Sequence, residues 1–156
     1  MLEIGAGDLR LAVQIARIAK WVVAIEIHPE IIERGLSNAP QGIPGNLTIL
    51  PGDARLLPFP PGVNTGVLLM RHCTHFRLYA DKLKALGCRR LITNARWRSS
   101  LEIVDLQAPR LPFEAVKIGW YACWCGAVGF VPGPAEMYTA DRDQVVAEVS
   151  ACPNCM

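Results

Sequence analysis

Short β-rich runs alternate with amphipathic helical runs through roughly the first 95 residues, and this alternation constrains the fold more than any other feature of the chain. Met1 to Ile4 reads as the end of a strand, Gly5 to Gly7 as a tight turn, and Asp8 to Ala19 as a helix. Arg10, Gln14 and Arg17 recur at helical spacing and leave Leu11, Val13, Ile15 and Ile18 for the face toward the sheet. Trp21 to Ile27 is the next strand. Pro29 suits a first helical turn and Gly35 a left-handed end, which predicts a short helix over Pro29 to Arg34. Leu47 to Leu50 gives a third strand, Pro51 to Gly66 a proline-rich loop, and Val67 to Met70 a fourth strand. Phe76 to Leu86 reads as a helix and Arg89 to Ala95 as a fifth strand. Repeated β-α-β units of this kind predict an α/β fold with a mostly parallel sheet covered by helices.

The rhythm changes after Trp97. Phe113 to Ala122 and Ala127 to Val131 read as a hairpin, while Val145 to Val149 suits a strand by its β-branched residues and a helix by the acidic residues around it. Ile118 to Ala135 carries no charged side chain, but Gly119, Gly126, Gly129, Pro132, Gly133 and Pro134 break it. It therefore reads as strands and turns, not as a membrane span. With 156 residues, 51% of them hydrophobic, the chain is large enough for its own core, which excludes general disorder. A net charge of +2 does not by itself announce a polyanion partner. Glu3 and Asp8 stand where a secretory signal would need basic and then apolar residues, so the expectation is a cytoplasmic protein with reduced thiols and no membrane partner. Because the chain opens inside a strand, the helix that would cover that part of the sheet is expected upstream of Met1 or from a partner.

Strand, then Glu3-Ile4-Gly5-Ala6-Gly7-Asp8, then helix is a nucleotide-type loop, in which glycines let the backbone approach a ligand. A dinucleotide fingerprint wants glycine or alanine where Arg10 stands. An acidic residue two before the first glycine, as Glu3 is, instead resembles motif I of the class I S-adenosylmethionine-dependent methyltransferases. The resemblance extends to Glu26, which ends Val23-Ala24-Ile25-Glu26 where that family binds the ribose hydroxyls of its cofactor. It extends also to Asp53 in Leu50-Pro51-Gly52-Asp53-Ala54, where family members hydrogen-bond the adenine amino group. The resemblance implies a Rossmann-like fold with S-adenosylmethionine held by Glu3, Gly5, Gly7, Glu26 and Asp53. Leu9 departs from the pattern, since the family often has a third glycine there. Met70-Arg71-His72-Cys73-Thr74-His75 departs too, lacking both the Asn/Asp-Pro-Pro-aromatic signature and the Pro-Cys of the cytosine-C5 group, so the methyl acceptor is not inherited. Taken singly, the glycines also read as an ordinary turn and Glu26 or Asp53 as a solvated strand end.

Cys123-Trp124-Cys125-Gly126 and Cys152-Pro153-Asn154-Cys155 each place two thiolates on a tight turn. Four such sulfurs satisfy tetrahedral zinc at about 2.3 Å in a closed structural site, and the pattern is similar to a zinc ribbon with its first pair shortened. Two disulfides, a redox pair, an iron–sulfur cluster or simple buried thiols are the alternatives. Reduced thiols argue against disulfides, and Cys152 opens no helix in a β-α-β unit as a redox pair would. Cys73 and Cys88 stand alone and read as small buried apolar residues.

His72 and His75 fall where the fourth strand opens toward the cofactor's methyl group, and either could accept a substrate proton. Both also read as surface loop histidines, because nothing in the sequence fixes their partners. Arg89, Arg90, Arg96 and Arg98 with Trp97 offer a basic-aromatic cluster suited to RNA phosphate and a stacked base, although much of it alternates like a solvated strand face. His28 reads as a cap or surface residue. The expected organisation is an S-adenosylmethionine-binding, Rossmann-like α/β core over residues 1–112 and a hairpin with a four-cysteine zinc knuckle over 113–156. The expected function is methyl transfer to RNA, protein or a small molecule. Its rival is a non-catalytic, methyltransferase-like scaffold that uses the knuckle for protein or RNA contacts.

Overall fold

The computed structural model describes residues 1–39, 42–98, 100–139 and 145–155. The predicted alternation is present: β1 (Leu2–Ile4), α1 (Arg10–Ala16), β2 (Val22–Glu26), α2 (Pro29–Ser37), β3 (Leu47–Pro51), β4 (Thr65–Leu68), α3 (Phe76–Ala85) and β5 (Arg90–Thr93). These five strands pair in parallel, and β6 (Glu102–Asp105) adds an antiparallel edge against β5. The order β3-β2-β1-β4-β5-β6 reverses between β1 and β4, which makes a Rossmann-like sheet with its switch point there. Every residue of β1 and β2 is buried, the mark of central strands in a sheet covered by helices on both faces. Leu2, Ile4, Phe76, Leu83 and Leu91 pack in one layer. Leu9, Ala12, Val22, Ile32 and Val67 pack in the other.

Three expectations need correction. α1 ends at Ala16, and its buried face is Ala12, Ile15 and Ala16, whereas Leu11 is exposed and Ile18 lies 88% exposed in the turn beyond. Both stripes of this segment are apolar, and the early helix end chooses between them. Gly35 does not end α2; it lies inside the helix and is buried. A Cβ there would strike the carbonyl of Asp8, coming within 2.7 Å of its carbon, so this glycine lets α2 pack onto the loop after β1. Phe113 begins no strand, since Phe113–Ala115 is a single 3-10 turn.

The hairpin is otherwise as expected, with β7 (Gly119–Cys123) antiparallel to β8 (Val128–Val131). β9 (Val146–Val149) resolves the open alternative in favour of strand and pairs in parallel with β7. This small sheet is tied to the large one at named points. Trp124 sits in the core beside α3 and donates its indole N–H to Asp81 Oδ1 at 2.7 Å. The Arg110 guanidinium lies 3.8 Å from the Trp124 ring centre. Arg96 is 3% exposed and binds Glu102 of β6 and Glu148 of β9 in two pairs of hydrogen bonds of 2.6–2.9 Å. Burial works against its charge, but those bonds to Glu102 and Glu148 outweigh it and hold its pKa above the ordinary value. Arg96 is thus a bracket between sheets and not part of a solvated basic face. Among the described residues, no helix is long and apolar enough to cross a membrane.

Candidate functional site

The turn after β1 is shaped by left-handed residues: Gly5 at φ 72°, Gly7 at φ 57° and Leu9 at φ 65°. Leu9 holds the conformation that a third glycine would adopt. A left-handed leucine costs about 1–2 kcal/mol, and full burial of its side chain stabilises by about 1.5–3 kcal/mol, so the loop keeps its path without that glycine. Glu26 braces the same loop from the end of β2. Its Oε2 accepts the Gly7 N–H at 2.8 Å, and its Oε1 accepts the His28 N–H at 3.0 Å. His28 is the N-cap residue of α2 and lies 3.2 Å from Glu30 at the surface, in keeping with its expected place.

Glu3 has no such bracing. It is 4% exposed in the middle of β1, and its Oε2 is buried without a hydrogen-bond partner among the described residues. Burial first, then the charges of Asp8 and Glu26, push its pKa up from 4.5 to about 7.

Outside the carboxyl ends of β1 to β4 lies a cavity of about 260 Å³, the position in which open α/β sheets hold ligands. Gly5, Asp53, His72 and His75 line it, whereas Glu3, Gly7 and Glu26, expected to hold the same ligand, do not. The Met70 side chain lies over Gly5, with its sulfur 2.8 Å from where a Cβ would be. Asp53 is held by Arg55, whose Nε lies 2.8 and 3.0 Å from the two carboxylate oxygens. This pairing keeps the Asp53 pKa below its ordinary value. Lys82 of α3 fixes the loop on which Asp53 sits, donating to the carbonyls of Ala54 at 2.6 Å and Leu57 at 2.7 Å. Neither Arg55 nor Lys82 carries a motif in the sequence; the only signal for Lys82 is a lysine on an otherwise packed helical face.

The two histidines differ in placement. His75 is the residue before α3, and its Nδ1 lies 3.1 Å from the Thr74 hydroxyl. His72 lines the cavity and also a larger adjoining cleft of about 700 Å³. Cys73 between them is half-buried, and burial pushes its thiol pKa up, against a role as nucleophile. Cys88 is fully buried, as expected of a small apolar residue.

Cys123, Cys125, Cys152 and Cys155 converge so that all four sulfurs lie within 4.8 Å of one another. Three of the separations are 3.7, 3.8 and 3.9 Å. Four ligands at 2.3 Å from a tetrahedral zinc stand about 3.8 Å apart, so the cluster has the dimensions of such a site and could hold the ion. Backbone N–H groups of Cys125 and Cys152 point at sulfur at 3.5 and 3.4 Å. All four are free thiols in this arrangement.

No protein-family model and no curated protein sequence matches the chain. Solved structures do. Precorrin 8w decarboxylase from Methanobacterium thermoautotrophicum aligns with a TM-score of 0.51 at 24% identity, over 59% of this chain and 51% of that one. YcgJ from Bacillus subtilis aligns with a TM-score of 0.50 at 21% identity, over 59% and 42%. A Listeria monocytogenes protein described as a candidate S-adenosylmethionine-dependent methyltransferase aligns with a TM-score of 0.50 at 15% identity, over 59% and 45%. The matched part spans about half or less of each of these proteins. What the chain shares with them is the Rossmann-like fold.

Proposed function

We propose that the chain is an S-adenosylmethionine-dependent methyltransferase, with the cofactor in the crevice outside β1 to β4 and a structural zinc on the four cysteines. In this reading residues 1–112 carry the cofactor and 113–156 the metal. The observation that supports it is the charge around the glycine loop. Glu3, Asp8 and Glu26 place three carboxylates there, close enough for the other two to raise the pKa of Glu3, although Asp8 is itself paired with Arg10 at 2.7 Å. A dinucleotide would bring a pyrophosphate against them, whereas S-adenosylmethionine brings an ammonium and a sulfonium. The unpartnered Glu3 oxygen is an acceptor suited to such a cation. Glu26 spends one acceptor site of each oxygen on a backbone N–H and retains capacity for ribose hydroxyls. Asp53 retains acceptor capacity beside Arg55 for the adenine amine, and Met70 is flexible enough to leave Gly5.

The cofactor supplies a sulfonium methyl open to in-line displacement by an oxygen, nitrogen or carbon nucleophile. The chain's own work is positioning, and proton removal where the nucleophile carries a proton. His72 is the better placed base, because it borders both cavity and cleft. His75, engaged with Thr74, serves to position the loop.

Calorimetric titration of the zinc-loaded protein with S-adenosylhomocysteine tests this reading. Binding near one ligand per chain is expected, weakened about tenfold or more by Glu26→Ala through unpaired ribose hydroxyls. No binding, or preference for a nicotinamide dinucleotide, contradicts the reading and leaves the non-catalytic scaffold. Elemental analysis should find about one zinc per chain on the four-ligand stoichiometry.

A further inference from the structure

We infer that the cleft beside the cofactor crevice takes single-stranded nucleic acid. The inference rests on the methyl-transfer reading for the fate of the bound strand, but not for its binding. The cleft lies between the loop after β4, the turn after β5 and the metal knuckle, with Arg71, Trp97, Arg98, Gly126 and Asn154 among its walls. It shares His72, Cys73 and Thr74 with the cofactor cavity, so a group seated in it reaches the same loop.

Charge comes first. Among the described residues, no acidic side chain lines this cleft. The Arg96 charge is consumed by Glu102 and Glu148. Arg71 and Arg98 are exposed, and neither makes an ion pair with a described residue, unlike Arg10, Arg55, Arg77 and Arg110. Two uncompensated guanidinium groups suit phosphate, which they can grip with paired hydrogen bonds.

Aromatic surface comes second. From Trp97 on the cleft wall, a row of rings runs out over the small sheet. Trp97 and Trp120 have centres 5.9 Å apart, Trp120 and Phe130 5.1 Å, and Phe130 and Tyr138 5.8 Å. Trp120 and Phe130 oppose each other across β7 and β8 and stay more than a third exposed, as does Tyr138. Rows of exposed aromatics stack bases without regard to sequence. A small anion would need only the arginines, and an apolar partner only the rings. A polymer that alternates phosphates with flat bases uses both. In the methyl-transfer step, a nucleophilic atom of the bound nucleotide forms a bond to the methyl carbon as the carbon–sulfur bond breaks. The sulfur keeps the electron pair, and the displaced proton passes to His72.

Fluorescence anisotropy of a labelled twelve-nucleotide oligouridylate with the zinc-loaded full chain, without cofactor, tests the cleft. Affinity should fall with salt. Arg71→Gln and Arg98→Gln, both exposed and unpaired, should each weaken binding and lower the logarithmic salt slope by about 0.7. Photocrosslinks from 4-thiouridine should map to the peptides of Trp97 and Trp120. No binding at low salt, an affinity unchanged in the double arginine variant, or displacement by polyglutamate as readily as by unlabelled oligonucleotide would each overturn the inference. Titrating S-adenosylhomocysteine into the same preparation separates the two claims. Cofactor binding without oligonucleotide binding refutes the cleft alone, and the converse refutes the methyl-transfer reading while the cleft stands.

Discussion

In the six-stranded sheet, β1 and β2 bury every residue and two apolar layers pack against the faces. In the three-stranded sheet the buried cluster is Tyr121, Cys123, Val149 and Cys152, half of it thiol, while Trp120 and Phe130 face solvent. The large sheet can be held by apolar burial. The small one cannot, because too little apolar area is removed from water, and it depends on point attachments: four convergent sulfurs, the Arg96 bracket and the Trp124 anchor. Fixed from behind in this way, the small sheet can leave its outer aromatic face exposed.

With zinc on the four cysteines as proposed, removing it should separate the two sheets most sharply. Zinc binding to tetrathiolate sites supplies about 10–16 kcal/mol of apparent free energy, so chelation, or Cys152→Ser, should unfold the small sheet. Hydrogen exchange should then show lost protection in β7 to β9 with β1, β2 and β4 still protected. Equal loss in both sheets would mean that they fold as one unit.

Arg96→Met should come next. It strands Glu102 and leaves Glu148 only the Arg110 guanidinium at 3.9 Å, and removing one partner from a buried ion pair costs about 3–5 kcal/mol. Because Glu148 is about a third exposed, we expect about 3 kcal/mol in urea denaturation. A loss below about 1 kcal/mol would show the bracket to be no stronger than a surface ion pair.

Glu3 sharpens the contrast from the other side, since here the large sheet stores a cost. Its folded pKa of about 7 lies above its ordinary 4.5, so the native state binds the extra proton between those values. Its contribution is therefore present at low pH and lost as pH rises through about 7. The ligand-free protein should lose about 3 kcal/mol of stability over that window, at 1.36 kcal/mol per pKa unit. Glu3→Gln should flatten the profile; an unchanged slope assigns it to other groups.

Trp124→Phe should have the smallest effect. It removes the bond to Asp81 but keeps most of the buried ring, for about 1 kcal/mol by thermal denaturation. A loss of several kcal/mol would place the main anchor of the small sheet at this tryptophan.

Much of this architecture is legible in the residues. Alternating runs predict the parallel sheet, Gly5 and Gly7 the turn, and the paired cysteines their convergence. What stays hidden depends on contacts between distant segments. Arg55 closing on Asp53, Lys82 stapling the carbonyls of Ala54 and Leu57, and Arg96 reaching β9 have no local pattern. β6 is only Glu102–Asp105, too short for its alternation to register. Gly35 looks like a helix end because its actual partner, the backbone of Asp8, is 27 residues away in the chain. Leu9 shows the reverse case, in which a residue that breaks the glycine pattern still adopts the glycine conformation because its side chain is buried.

Glu3 reports most directly on whether the carboxylates around the glycine loop hold a cationic ligand. Carbon-13 NMR titration of the glutamate carboxylates, with Glu3→Gln for assignment, should give Glu3 a pKa near 7 without ligand. Saturating S-adenosylhomocysteine, whose ammonium would balance that charge, should draw it down by about a unit or more. A Glu3 pKa near its ordinary value in the free protein, or one that does not move when the ligand is bound, would contradict the account.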